Sequence, residues 1–87
     1  MRVRIGGKYY ELIDCRMTDN GCCDGPHIPG KRIRINKSLK GEARLEILLH
    51  EFLHAADWSK DEEWIEETAR DFARALTRQG YKRTESD

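Results

Sequence analysis

Two histidines four residues apart, His50 and His54, flank a glutamate, Glu51, inside an apolar run from Leu45 to Ala56. On a helix, residues four apart lie on one face, one turn above the other. Both imidazoles can therefore point the same way and share one ion. A zinc ion takes imidazole nitrogens at about 2.0–2.1 Å in a roughly tetrahedral arrangement. Glu51 lies slightly around the helix, near a further ligand such as water, where a general base is needed. The pattern predicts metal-assisted hydrolysis, with His50 and His54 as ligands and Glu51 as base.

Two histidines rarely hold catalytic zinc alone, so a third protein ligand is expected. His27, Cys22 and Cys23 lie upstream in a loop. Downstream stand Asp61, Glu62, Glu63, Glu66, Glu67 and Asp71. Ser59 and Glu62 match a capping box, S-x-x-E, which accounts for Glu62. Asp61 and Glu63 suit the positive end of a helix dipole. Glu66 and Glu67 also make ordinary surface pairs with Arg70. A helix folded back after a short connection near Ser59 puts the ion level with about residue 66. Side chains lean toward their helix N-terminus, so Glu67 reaches that level, with Glu63 one turn lower as the alternative. Asp71, near the level of His50, could accept a hydrogen bond from that imidazole's other N–H.

His50-Glu51-x-x-His54 followed by Glu67-x-x-x-Asp71 resembles the gluzincin branch of the zincin metallopeptidases. The chain is similar to minimal gluzincins and to the small H-E-x-x-H proteins of phages and bacteria. The metzincin extension is missing, since Asp57 replaces its glycine and Lys60 its third histidine. The resemblance implies a Zn2+-dependent peptidase acting on a peptide or protein substrate. In it zinc polarises a water and Glu51 takes the water's proton, later passing it to the leaving amine. The alternative is a zinc-stabilised protein-interaction module without catalytic activity. Retention of Glu51 favours the enzyme, because a structural site needs no base.

The elements that must position these groups follow from periodicity. Met1–Ile5 alternates, with Val3 and Ile5 on one face and Arg2 and Arg4 on the other, as a half-buried strand does. Gly6-Gly7 signals a tight hairpin, and Lys8–Cys15 is the return strand. Thr18–Gly30 is dense in Gly, Pro, Asn and Asp and reads as a loop. Cys22, Cys23 and His27 within it have two readings, loop packing or a second metal or redox site; a cysteine could also reach the active site as an inhibitory ligand. Lys31–Asn36 alternates again, with Ile33 and Ile35 inward, and offers an edge to an extended substrate. A helix over 42–57 is apolar nearly all round and so belongs at the centre of the core. A second helix from Ser59 carries the stripe Ile65, Ala69, Phe72 and Leu76, and Gly80 closes it. The expected fold is α+β: three antiparallel strands on a two-helix hairpin, with one domain over 1–81 and a polar tail over 82–87.

Eighty-seven residues allow one core, and at this size stability is marginal enough for a bound metal to matter. Sixteen basic and sixteen acidic side chains cancel, which makes a nucleic-acid partner unexpected. The basic residues Arg2, Arg4, Lys8, Lys31, Arg32 and Arg34 read as the solvated face of a sheet. No apolar run reaches the ~18 residues of a membrane span, and no signal-peptide core is present. Three cysteines, Cys15, Cys22 and Cys23, fit a reduced, cytoplasmic protein better than a disulfide framework. Oligomeric state is not legible.

Overall fold

The computed structural model describes residues 1–84; of the expected polar tail, 85–87 lie outside the described residues. The chain runs β1 (Arg2–Ile5), β2 (Lys8–Cys15), β3 (Gly21–Cys23), β4 (Arg32–Asn36), α1 (Gly41–Ala56) and α2 (Glu62–Arg78). The β1–β2 hairpin forms as expected. Gly6 and Gly7 both take positive φ, 58° and 78°, the backbone a two-residue primed turn requires.

The sheet corrects the expectation of three antiparallel strands. It has four strands in the order β1-β2-β4-β3, and β2 pairs with β4 in parallel. Parallel neighbours need a long crossover, and the segment from Arg16 to Lys31 supplies it. Within that crossover Gly21–Cys23, expected to be loop, pairs antiparallel with β4 as an edge strand. Arg32–Asn36 is consequently flanked on both sides. The strand expected to offer a free edge is an interior one, and β3 carries the edge instead.

Alternation along the strands sends Tyr10, Ile33 and Ile35 to one face, where with Ala55 they form the buried core. Val3, Ile5, Leu12, Cys23, Ile47, Leu48 and Phe52 pack around them. The Tyr10 hydroxyl donates to the Ala55 carbonyl at 3.4 Å, tying β2 to the end of α1. At the other end Arg44, 9% exposed, meets Asp14 of β2 at 2.9 Å. α1 packs on the sheet, and α2 packs on α1 without touching a strand. The first helix is thus covered on two sides, which explains why it is apolar nearly all round.

α2 starts differently from the expected capping box. Its N-cap is Asp61, whose carboxylate accepts from the Trp64 N–H at 2.7 Å. Ser59 turns away: its hydroxyl and its N–H both donate to Asp57 Oδ1, at 2.6 and 3.0 Å. This frees Glu62 from capping. The C-terminus closes as expected on Gly80, φ 89°. The Tyr81 N–H reaches the Leu76 carbonyl and the Gly80 N–H the Thr77 carbonyl, the paired bonds of a Schellman cap. No helix among the described residues is long and apolar enough to cross a membrane.

Candidate metal centre

His50 and His54 lie one turn apart on the flank of α1 that faces α2, both partly buried. Their ring centroids are 5.0 Å apart. The carboxylate between them belongs to Glu62, in the first turn of α2. Its Oε1 is 2.7 Å from His50 Nε2 and its Oε2 is 2.8 Å from His54 Nε2. His50, His54 and Glu62 form a group that could hold a metal ion, their ligand atoms all lying within 4.8 Å of one another.

Why Glu62 and not Glu67 follows from angle around the helix. At about 100° per residue, the buried stripe Ile65, Ala69 and Ala73 defines the face of α2 turned to α1. Glu62 lies about 20° from the centre of that stripe. Glu63 lies about 120° away, and Glu67 and Asp71 about 160° away. Those three gather with Glu66, Arg70 and Arg74 on the exposed outer side of α2. The structure therefore does not bring Glu67, Glu63 or Asp71 to the histidines. The angular signal is present in the sequence, because the stripe Ile65, Ala69, Phe72 and Leu76 places Glu62 about 50° from its centre, although Phe72 itself is exposed in the structure.

Glu51 turns inward from the histidine flank and is only 6% exposed. Its carboxylate packs beside β3: a Cβ built on Gly21 would stand 3.2 Å from Glu51 Oε2. Burial pushes its pKa up to about 7; the neighbouring His50 opposes the rise and Glu62 adds to it. Glu51 is thus a buried acid within electrostatic reach of the His50 imidazole and the Glu62 carboxylate.

The other residues singled out in the sequence fall outside this group. Cys23 packs under the sheet, and burial first, then Glu51, Asp24 and Cys22, push its thiol to about 12. A thiol so disfavoured as thiolate is a poor ligand. Cys22 points to the other face, where its sulfur accepts from Arg34. Cys15 is a free thiol at the end of β2. His27 is exposed, in the Asp24–Ile28 turn beside Gly25 and Trp58. Trp58 in turn lies 6.0 Å from the His54 ring, so this turn forms a wall near the centre.

No protein family, curated protein or solved structure matches this chain.

Two imidazoles and one carboxylate make a mixed nitrogen and oxygen donor set for a metal ion. Ligands about 2.0–2.1 Å from a tetrahedral centre stand about 3.3 Å apart. The two Glu62–histidine gaps, 2.7 and 2.8 Å, would widen by about half an ångström to reach that spacing. Glu62 is in the first helical turn with an exposed side chain, so that adjustment disturbs no packing.

Proposed function

We propose that this protein is a zinc-dependent hydrolase of peptide bonds, with His50, His54 and Glu62 holding the ion and Glu51 acting as general base. The observation that carries this reading is the convergence of His50 Nε2 and His54 Nε2 on one carboxylate, with the buried Glu51 next to His50 in the chain. Zinc in such a site supplies an acidified water and a Lewis acid for the substrate carbonyl. The chain's own part is carried by Glu51. It accepts the water's proton as the carbonyl is attacked, then delivers it to the departing amine, so its protonation state is the same at the end as at the start. The edge of β3 runs past Glu51 and can pair with an extended peptide.

A second reading, a zinc-stabilised interaction module, draws on one observation: the Glu62 side chain is 62% exposed, leaving the centre open to solvent. One experiment separates them. Native mass spectrometry should find one zinc per chain in both the parent and Glu51→Gln. Peptide-library cleavage should be found in the parent and lost in Glu51→Gln. Zinc without cleavage in the parent leaves the module. Absence of zinc from the folded parent removes both readings.

A further inference from the structure

The zero net charge conceals a separation. Residues 1–40 carry nine basic and four acidic side chains, whereas 41–80 carry five basic and ten acidic ones. Such asymmetry between the halves of a chain points to a polyanionic partner for the basic half.

The fold puts much of that basic half on one surface. Both helices lie on the face of the sheet that buries Tyr10, Ile33 and Ile35. The alternate residues point to the opposite face, where no described element covers them. Arg2, Arg4, Tyr9, Glu11, Arg32 and Arg34 are the residues that matter there. Pairing sets Arg2, Glu11 and Arg32 side by side across β1, β2 and β4, with Arg4 beside Tyr9 in the next row.

Two features distinguish this face from an ordinary solvated one. First, three of its four arginines make no ion pair among the described residues. Glu11 is engaged at 2.8 Å by the Met1 amino group, and Asp24 lies 3.9 Å from Arg34. Among the described residues the guanidinium groups of Arg2, Arg4 and Arg32 pair with no carboxylate, and the Arg32 backbone N–H alone reaches Asp24, at 2.9 Å. Second, it presents an exposed aromatic ring: Tyr9 is 51% exposed, with the Arg2 guanidinium 3.8 Å from its centroid. Guanidinium groups recognise phosphate, and both they and tyrosine rings stack on bases.

We propose that this uncovered sheet face binds single-stranded nucleic acid, with Arg2, Arg4 and Arg32 on phosphates and Tyr9 stacking a base. An acidic polypeptide would satisfy the arginines but brings no base to stack on the exposed Tyr9 ring. The surface lies across the sheet from His50, His54 and Glu62, and the inference does not depend on that centre.

The test is fluorescence anisotropy of a labelled twelve-nucleotide oligouridylate with the full chain. With three to four phosphates neutralised, affinity should fall roughly 20- to 50-fold between 50 and 200 mM salt. Arg32→Gln, which keeps the backbone bonds to Asp24, should reduce the logarithmic salt slope by about 0.7. Tyr9→Ala should weaken binding by at least about fivefold while Tyr9→Phe binds as the parent does. Circular dichroism confirms that each variant is folded. Any of three results overturns the proposal: no binding at 50 mM salt, equal affinity for a polyglutamate peptide, or a parent dimer in sedimentation that Arg2→Gln/Arg4→Gln/Arg32→Gln dissociates, which would make a second copy the occupant.

Discussion

Glu62 Oε1 stands 2.7 Å from His50 Nε2, joining the first turn of one helix to a histidine almost two turns before the end of the other. The same carboxylate reaches His54 with its second oxygen. This relationship gives the hairpin a group that could hold a metal ion. Glu62→Ala should therefore weaken zinc binding by more than about 100-fold, beyond the 10- to 100-fold typical of supporting residues. Glu67→Ala and Glu63→Ala should leave it unchanged. Competition against a chromogenic chelator measures all three. A loss confined to Glu67→Ala would show that α2 is rotated from its described orientation.

The proposed zinc would link α1 to α2, so its binding should also stabilise the fold. Chelation should lower the melting temperature of the parent by several degrees and leave that of Glu62→Ala nearly unmoved. Differential scanning calorimetry with and without chelator checks both. An equal drop in the two proteins would place the stabilising ion elsewhere.

Much of the site was legible because helical spacing is local. His50, Glu51 and His54 needed only a helix through 50–54, and the apolar run from Leu45 to Ala56 guaranteed one. Glu62 was hidden by a competing use, since Ser59-x-x-Glu62 reads as a capping box while Asp61 actually caps. A cap choice among Ser59 and Asp61 shifts the helix start by two residues, and only the chain's turn through Asp57 decides it. The parallel β2–β4 pairing was hidden for a different reason. Alternation in Lys31–Asn36 reports which face is buried, not which neighbour or direction completes the ladder. Gly21–Cys23 is too short, and too close to turn residues, to announce a strand.

Asp61 holds the turn that presents Glu62. Asp61→Ala removes the acceptor for the Trp64 N–H and should cost about 1 kcal/mol, within the usual range for an N-cap. Ser59→Ala should leave the α2 cap intact, because its hydroxyl serves Asp57. Urea denaturation of the metal-free proteins distinguishes the residues. Equal losses would restore Ser59 as cap.

Gly21 is where the edge strand approaches α1 most closely. A Cβ there would stand 2.9 Å from Ile47 Cγ2, 3.1 Å from the Arg34 carbonyl oxygen and 3.2 Å from Glu51 Oε2. The isoleucine can yield, but the carbonyl belongs to the β4 ladder and cannot without breaking pairing. Gly21→Ala should destabilise by about 1–3 kcal/mol, the usual cost of overpacking. A variant as stable as the parent in urea would mean that β3 stands farther from the helix.

Glu51 should leave a pH signature on the metal-free protein. Its folded pKa is raised to about 7 from an ordinary value of 4.5, chiefly because burial disfavours the carboxylate. The native state therefore keeps a proton that the unfolded state has already released. For a raised acid, stability is greatest below the unfolded value and falls as pH rises from 4.5 through 7. The shift corresponds to about 3 kcal/mol between pH 4 and pH 8. Glu51→Gln has no proton to lose, so its stability should decline by that much less over the same interval. Comparing the pH dependence of each protein cancels any fixed cost of the buried amide. The measurement is urea denaturation in chelator at pH 4, 6 and 8, for parent and variant. Parallel profiles would mean that Glu51 is ionised at low pH in the folded chain, and a carboxylate of ordinary acidity has little hold on a proton it must carry from water to amine.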